Sequence, residues 1–353
     1  MIDSSAGYYE FGNYVVDASE LRANYDGDEQ IAAIFSMVEL PLSKKLKFVG
    51  GLRFETTQID VVTQDPDYEE GNLDDNDVLP SASLIYRLSD NMNLRGAFGR
   101  TLARPTFREL APFPSWDFAN GFFFIGNTAL KRSLIDNFDI RWEWFSNPGE
   151  ILATSLFYKK FENPIERAIK NDNGEIQYQN VDEAIVYGAE FEIRKKLNIL
   201  HSTLSDFSWG ANLSLIHSEV DIPQDELLII RAYDPDADDT RPLQGQSPYI
   251  LNIDLTYNNT DTKTLASVTY NVFGERLSEV SLGGTPDIYE QPRPILNFIF
   301  NQSIMGNISL KASAKNILDS PMKKIHEFKG GEYIYHEYQT GRSITLGLSY
   351  ELQ

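Results

Sequence analysis

The chain has 353 residues, and its 52 acidic residues against 31 basic ones give a net charge of −21 at pH 7. This acidity disfavours nucleic acid as a partner, because phosphate binding needs patches of lysine and arginine. The absence of cysteine excludes disulfides, thiolate metal sites and a thiol nucleophile.

No run of the sequence approaches the ~18 consecutive apolar residues of a transmembrane helix, and the mean hydropathy is −0.33. Aromatic residues make up 12% of the chain, which suits the two interfacial girdles of a membrane barrel. The first residues lack the basic start and apolar stretch of a signal peptide. Because an outer-membrane barrel must be exported, we expect a removed signal or a chain that is the C-terminal part of a longer one.

Apolar and polar residues alternate with a period of two over most of the chain, which predicts β-strands. We predict about fourteen strands, at 8–16, 31–41, 46–60, 78–89, 92–103, 135–147, 150–162, 184–197, 205–220, 248–258, 263–275, 294–303, 307–316 and 341–352. Short turns alternate with long loops, which are roughly 17–30, 61–77, 104–133, 163–183, 221–247, 276–293 and 317–340. This alternation is typical of an all-β, antiparallel up-and-down barrel in an outer membrane, with short periplasmic turns and long extracellular loops.

The two faces of these strands differ in chemistry, as a barrel wall between lipid and an aqueous lumen requires. Because a buried unpaired charge is costly, we expect the charged face to be wet or joined by salt bridges. On that face Glu190 and Glu192 are expected to meet neighbours such as Arg141 or Arg194. We predict that the opposite face meets lipid, and that it includes Trp142, Trp144, Trp209, Tyr249, Leu255 and Ile344.

Short motifs follow one another along the chain, and each of them alone is weak. They are 51–55 (GLRFE), 79–81 (LPS), 99–105 (GRTLARP) with 110–112 (LAP), 126–130 (GNTAL), 187–192 (YGAEFE), 314–319 (AKNILD) and 341–343 (GRS). Together, in this order, they resemble the C-terminal barrel portion of a TonB-dependent outer-membrane receptor of the type common in Bacteroidetes. The resemblance covers nearly the whole chain.

The resemblance implies a barrel of about 22 strands that encloses an N-terminal plug, of which this chain would be one barrel domain, 1–353, without the plug. It implies the outer membrane of a Gram-negative bacterium, contact with its lipid, and uptake of a small-molecule ligand energised by a TonB-type protein through the plug. The chain departs from the family near Met1, where no TonB-contacting box is found, and at Leu352-Gln353, where an aromatic end is usual. We therefore expect a fragment whose first and last strands do not pair as in its parent.

The loop 104–133 carries the residues that we predict to bind the ligand, because it joins exposed aromatic side chains to a basic cluster in an acidic protein. The predicted ligand-binding residues are Arg104, Arg108, Trp116, Asp117, Phe122, Phe123, Phe124 and Arg132. The loops 221–247 and 276–293 are expected to help. Cations beside an aromatic surface suit an anionic, ring-bearing ligand such as a ferric siderophore. Two other interpretations stay open: Pro105 as a strand terminator, and the aromatic run as packing between loops.

Two further clusters each have a functional and a simpler interpretation. The acidic loop 61–77 and the run from Asp234 to Asp238 suit Ca²⁺, but the latter departs from the EF-hand pattern after Asp238, and a solvated acidic surface is the simpler interpretation. His326 and His336 share one loop and suit a haem or metal, or are plain polar loop residues.

No nucleophile elbow, phosphate-binding loop or zinc-binding helix occurs in the sequence, so we predict neither catalysis nor a cofactor. Our first hypothesis is energised import of a large, scarce ligand such as a ferric siderophore. The alternatives are TonB-dependent uptake of an oligosaccharide and a passive, fourteen-stranded porin or fatty-acid-type channel. A weaker alternative is an outer-membrane enzyme with a site at the barrel mouth.

Overall fold

The structure is a computed structural model that describes residues 24–63, 70–117, 122–171, 173–282, 285–328 and 330–350. The predicted strand 8–16 lies outside these residues. The elements are β1 (Tyr25–Pro41), β2 (Leu46–Thr63), β3 (Gly71–Ser89), β4 (Met92–Ala103), α1 (Phe107–Leu110), β5 (Ser115–Asp117), β6 (Phe122–Phe124), β7 (Ser133–Trp144), β8 (Ile151–Glu162), β9 (Ile165–Ile169), β10 (Ile176–Asn180), β11 (Glu183–Lys196), β12 (Phe207–Asp221), α2 (Gln224–Tyr233), β13 (Thr240–Arg241), β14 (Tyr249–Asn259), β15 (Thr264–Phe273), β16 (Arg276–Ser281), β17 (Ile288–Glu290), β18 (Ile295–Met305), β19 (Ile308–Lys315), β20 (Met322–Phe328), β21 (Gly331–Tyr338) and β22 (Ser343–Tyr350). Neither α1 nor α2, the α-helices of the described part, is long and apolar enough to cross a membrane.

The wall is one antiparallel sheet whose strands pair in chain order, β1-β2-β3-β4-β7-β8-β11-β12-β14-β15-β18-β19-β22, with the short β13 added beside β12. This order confirms the predicted meander, and every predicted strand from 31–41 to 341–352 has its counterpart. Within the described residues β1 pairs with β2 alone and β22 with β19 alone. The sheet is therefore open at both edges there.

One face of the wall is apolar and exposed, and the other carries ion pairs. Ile140 on β7 lies opposite Leu156 on β8, and each is 57% exposed. On the other face Glu143 is buried, and Arg141 Nε lies 3.3 Å from its Oε2. Arg141 Nη2 also donates to Glu192 Oε2 over 2.7 Å, which confirms the predicted salt bridge.

The strand register carries the apolar face across the wall. Leu255 lies opposite Val268, then Phe298, Ala314 and Ile344 follow on successive strands. Since directly opposite residues share a face of a sheet, Leu255 and the exposed Ile344 point the same way, as predicted. Alternation along a strand or register between strands places the other residues predicted for this face on the same side. These residues are Trp142, Trp144, Trp209 and Tyr249.

The loop predicted at 61–77 is shorter in the structure. β2 extends to Thr63 and β3 begins at Gly71, and the two strands pair as a hairpin within the predicted loop. Leu73 is buried against Ile59, and two aspartates further along β3, Asp75 and Asp77, are paired with Arg132. Carboxylates are poor strand formers, so their number in this stretch indicated a loop. The arginine from another loop compensates their charge and allows the strand to continue.

The long loops contain a second sheet that the sequence did not predict. Four hairpins from four loops assemble in the order β21-β20-β17-β16-β9-β10-β6-β5. Two of the junctions between hairpins are parallel, β6 with β10 and β9 with β16. Buried Phe124, Ile169, Ile176 and Ile288 form a core that joins three of these loops. The loops therefore form a packed structure above the wall.

A buried arginine ties α2 to the loop sheet. Arg241 Nη1 lies 2.5 Å from Glu226 Oε1 on α2, and its Nη2 lies 2.5 Å from Glu166 Oε1 on β9. Burial raises the pKa of Glu226, while its bond to Arg241 opposes that rise. The three side chains are nearly inaccessible to solvent, so this contact fixes the position of the loop that follows β12.

Candidate functional site

The site begins at the one-turn helix α1, which the sequence caps at its start. Thr106 Oγ1 accepts a hydrogen bond from Glu109 N, and Glu109 Oε2 accepts one from Thr106 N over 2.7 Å. This reciprocal pair is a capping box. Leu110 is buried under the turn, which leaves Arg108 on the exposed side.

Two of the predicted ligand-binding arginines hold carboxylates of the wall. Arg104 is paired with Glu55 on β2, and its Nε donates to Thr57 Oγ1 over 3.0 Å. Arg132 Nη2 lies 2.6 Å from Asp77 Oδ1 on β3. Both arginines therefore fasten the base of the loop to the wall, and much of their charge is compensated.

Arg108 differs from these two, because none of the described carboxylates lies within salt-bridge distance of it. Its guanidinium carbon lies 5.0 Å from the centre of the Phe124 ring, and its Nη2 lies 3.3 Å from Ser115 Oγ. A cation over a ring face is attracted by roughly 0.5–2 kcal/mol. Arg108 is thus held over an aromatic surface and has no ion-pair partner among the described residues.

The predicted aromatic run divides between the two faces of β6, since successive strand residues point to opposite sides. Phe123 is half-exposed and meets Trp116 edge-to-face with the ring centres 4.7 Å apart. Phe122 and Phe124 point the other way, and Phe124 is buried. Asp117 pairs with Phe122 through the strand backbones. Only half of the predicted aromatic surface therefore faces the arginines.

A cavity of about 160 Å³ lies on the Phe122 side of β6. It is lined by Thr106, Arg108, Glu109, Phe122, Phe124, Arg167 and Tyr178. A closed apolar cavity of about 150 Å³ is large enough to bind benzene, so this open one accommodates a single aromatic ring. Burial raises the pKa of Tyr178, so its hydroxyl keeps its proton.

Arg167 and Tyr178 belong to the site, and the sequence prediction missed both. Arg167 lies on β9 and places its guanidinium carbon 4.3 Å from the centre of the Phe122 ring. Tyr178, on β10, meets Phe124 edge-to-face with the ring centres 5.7 Å apart. The sequence signal for β10 is the brief alternation in 176–180 (IQYQN), whereas 165–169 (IERAI), which forms β9, does not alternate.

The other predicted clusters make ordinary contacts. Asp236 N donates to Asp234 Oδ1 over 3.3 Å in a local turn. The His326 ring lies 2.7 Å from Pro286 O, and the His336 ring packs edge-on against Tyr338. In the described part of the chain, no three acidic or histidine side chains converge in a way that would hold a metal ion.

An antiparallel wall of paired strands with long, structured loops at one end defines the class as an up-and-down outer-membrane barrel. The chain belongs to a family within that class, because residues 3–316 match the family model described as TonB dependent receptor-like, beta-barrel. This family is one of outer-membrane receptors and transporters of Gram-negative bacteria, not a class of enzymes. No curated protein matches the chain.

Solved receptor structures share the fold. The chain superposes on a ferric enterobactin receptor (PfeA) variant of Pseudomonas aeruginosa with a TM-score of 0.59 and 18% identity, covering 91% of this chain and 45% of that one. It matches the ferric-catecholate import receptor Fiu of E. coli K12 with a TM-score of 0.64 and 15% identity, covering 94% and 46%. The copper transporter OprC gives a TM-score of 0.64 and 16% identity, covering 93% and 48%. The chain thus spans about half the length of these relatives, and such identities show the fold alone.

Proposed function

We propose that this chain forms wall and extracellular loops of an outer-membrane receptor that imports a ring-bearing anion, such as a ferric siderophore, by TonB-energised uptake. The observation that carries the proposal is the cavity in which Arg108 and Arg167 lie over Phe124 and Phe122. Phenyl rings provide a stacking surface, and the two guanidinium groups attract negative charge. Glu109 is the one carboxylate at this cavity, and it is engaged by the cap of α1.

The proposal includes the partners and the setting. The exposed apolar face of the wall meets outer-membrane lipid, and a TonB-type protein acts through a plug that the wall encloses. We propose that residues 1–353 are a single barrel domain and part of a larger barrel. Within the described residues β1 and β22 each have one unpaired edge, which supports this, since unpaired strand edges are not tolerated in lipid. The passive-channel alternative is not favoured by the family to which the chain belongs.

An oligosaccharide would use the same aromatic rings but does not need the positive charge. The test is equilibrium binding of a ferric complex of 2,3-dihydroxybenzoate to the purified chain, with Arg108→Ala and Arg167→Ala made separately. We expect each variant to weaken binding about 2- to 30-fold, the equivalent of roughly 0.5–2 kcal/mol. Arg231→Ala is the matched control, because Arg231 is an exposed arginine on α2 whose side chain, within the described part of the chain, donates to Ala237 O.

The alternative outcomes are distinct. If Arg108→Ala and Arg167→Ala leave binding unchanged, the cavity is not the site. If Trp116→Ala alone removes binding, the ligand uses the opposite face of β6, where Trp116 and Phe123 meet, and a sugar becomes the better candidate.

A further inference from the structure

A second, smaller cavity adjoins the first and shares two of its side chains. It has a volume of about 60 Å³, and both Phe122 and Arg167 line it as well as the larger cavity. The rest of its lining comes from β16, β20 and β21, which belong to two other loops. This lining includes Glu279, Lys324, Tyr335 and Tyr338. The function proposed above uses only the larger cavity.

The charges around the small cavity do not balance. Glu279 is 2% exposed, and its Oε1 lies 3.0 Å from Lys324 Nζ while its Oε2 lies 3.1 Å from Arg167 Nε. One buried carboxylate thus serves two cations, which leaves one positive charge in excess. Because the carboxylate is fixed in the sheet, it also holds both cations in place before any ligand arrives.

Among the described residues, the contacts of the Arg167 side chain are made by its Nε and by the face of its guanidinium group. Its ring contact to Phe122 covers one side of the guanidinium group, and Glu279 engages Nε. Gln244 brackets its backbone, accepting from Arg167 N and donating to Arg167 O, each over 2.7 Å. Neither terminal nitrogen donates a hydrogen bond to a residue that the structure describes. Two parallel N–H groups in this state are suited to binding an oxyanion with both oxygens.

We propose that the small cavity is a second subsite, which binds a carboxylate or a similarly compact oxyanion of a ligand whose ring occupies the larger cavity. Its volume corresponds to about two water molecules at roughly 30 Å³ each, so it accommodates such a group and excludes a second ring. Arg167 then serves both subsites, and Lys324 belongs to the small one. This inference rests on the proposed function only in assigning the ring to the larger cavity.

The absence of cysteine from the chain allows a direct test without knowledge of the ligand. Met322 lines the small cavity and not the larger one, so Met322→Cys places a single thiol there. The measurement compares the rates at which negatively and positively charged methanethiosulfonate reagents modify this thiol in the purified chain. Ala232→Cys, on the exposed side of α2, normalises the intrinsic reactivity of the two reagents.

We expect the ratio of the anionic to the cationic modification rate to be about tenfold higher at Met322→Cys than at Ala232→Cys, since charged clefts concentrate ions of opposite sign. Acetate and inorganic phosphate should each slow modification of the thiol by the anionic reagent. The anion that slows it more at equal concentration is the preferred oxyanion. Adding Lys324→Met should abolish the preference, whereas Glu279→Gln should increase it. Lys323→Met, which removes the neighbouring lysine paired with Glu332, should leave the preference intact.

Opposite shifts from the Lys324 and Glu279 variants cannot both arise from a damaged fold. Equal rates for the two reagents, or a preference that Lys324→Met leaves unchanged, would overturn the second subsite. Binding of the ferric catecholate probe is measured separately, so it can persist when the small cavity shows no preference. Conversely, a charge preference at Met322→Cys without catecholate binding would overturn the proposed function and leave the oxyanion site standing.

Discussion

At the scale of single residues, two loop arginines show how the same side chain serves structure or binding. Arg241 is 6% exposed, and both of its terminal nitrogens are used by Glu226 and Glu166. Arg167 gives only its Nε to Glu279 and rests on Phe122. A guanidinium group whose terminal nitrogens are all used positions the loops, whereas one with free terminal nitrogens is available to an anion.

Replacing Arg241 should disrupt the loops more than any exposed arginine does. Arg241→Met leaves the buried carboxylates of Glu166 and Glu226 without the cation that pairs with them, and removing one member of a buried pair costs about 3–5 kcal/mol. We expect faster hydrogen exchange in α2 and β9 and little change in the wall strands. Arg231→Ala is the control. Unchanged exchange in α2 would show that the helix is held by other contacts.

Glu150, in the short turn between β7 and β8, makes the stability of the fold depend on pH in the acid range. The Asn147 amide, the Lys195 ammonium and the Ser146 hydroxyl hold the pKa of Glu150 down at about 2, below its ordinary value of 4.5. A carboxyl with a lowered folded-state pKa contributes stability above pH 4.5 that is lost as the pH falls toward 2.

The free energy of unfolding of the native chain should therefore fall more across this acid range than that of Glu150→Gln. Urea titrations at a series of pH values provide the measurement. Glu39→Gln is the matched control, because Glu39 pairs with Lys47 at the exposed surface, where ion pairs contribute little. Parallel pH profiles for the native chain and Glu150→Gln would contradict this assignment.

At the scale of elements, the hairpin of β5 and β6 is attached to the loop sheet by few contacts. Ile176 and Phe124 are the only register pair between β10 and β6. Ile125 N donates to Ile176 O over 3.0 Å, and Gln177 Nε2 donates to Gly126 O over 3.1 Å. The position of the strand that brings Phe122 and Phe124 to the larger cavity thus depends on the segment that follows β6.

Gly126 tests this dependence. Its N donates to Ala111 O over 3.0 Å, and a Cβ added to Gly126 would collide with the Ala111 backbone. Gly126→Ala should displace the hairpin from α1, weaken ferric catecholate binding and increase protease cleavage in 104–133. Gly99→Ala, where a Cβ meets nothing within 4 Å, is the control. Native binding by Gly126→Ala would show that the hairpin position does not matter to the site.

The wall could be predicted from the sequence and the loop sheet could not, for a physical reason. Alternation along a wall strand records that one face is apolar, and this signal persists over eight or more residues. In the loop sheet, β9 is a five-residue strand that pairs with β10 along its length and with β16 of another loop at two residues. Glu279 and Arg167 meet only through that long-range pairing. The aromatic run was visible in the sequence, but which rings face the arginines was not.

At the scale of the whole molecule, the described residues form one antiparallel wall with a structured set of loops at one end. Its likeness to PfeA and Fiu covers most of this chain and about half of each receptor. The loop hairpins join several loops through buried side chains, so the connections of several wall strands are held together. This arrangement suits a receptor in which specificity lies in loops that a rigid scaffold positions.

The central claim is that a ring-bearing anion binds between the arginines and phenylalanines of the larger cavity. The most direct measurement is an experimental structure of the membrane-embedded chain with the ferric complex of 2,3-dihydroxybenzoate. We expect a catechol ring among Phe122, Phe124 and Tyr178, with negatively charged oxygens near Arg108 and Arg167. A ligand stacked on Trp116 and Phe123, or one that leaves this cavity empty, would contradict this expectation.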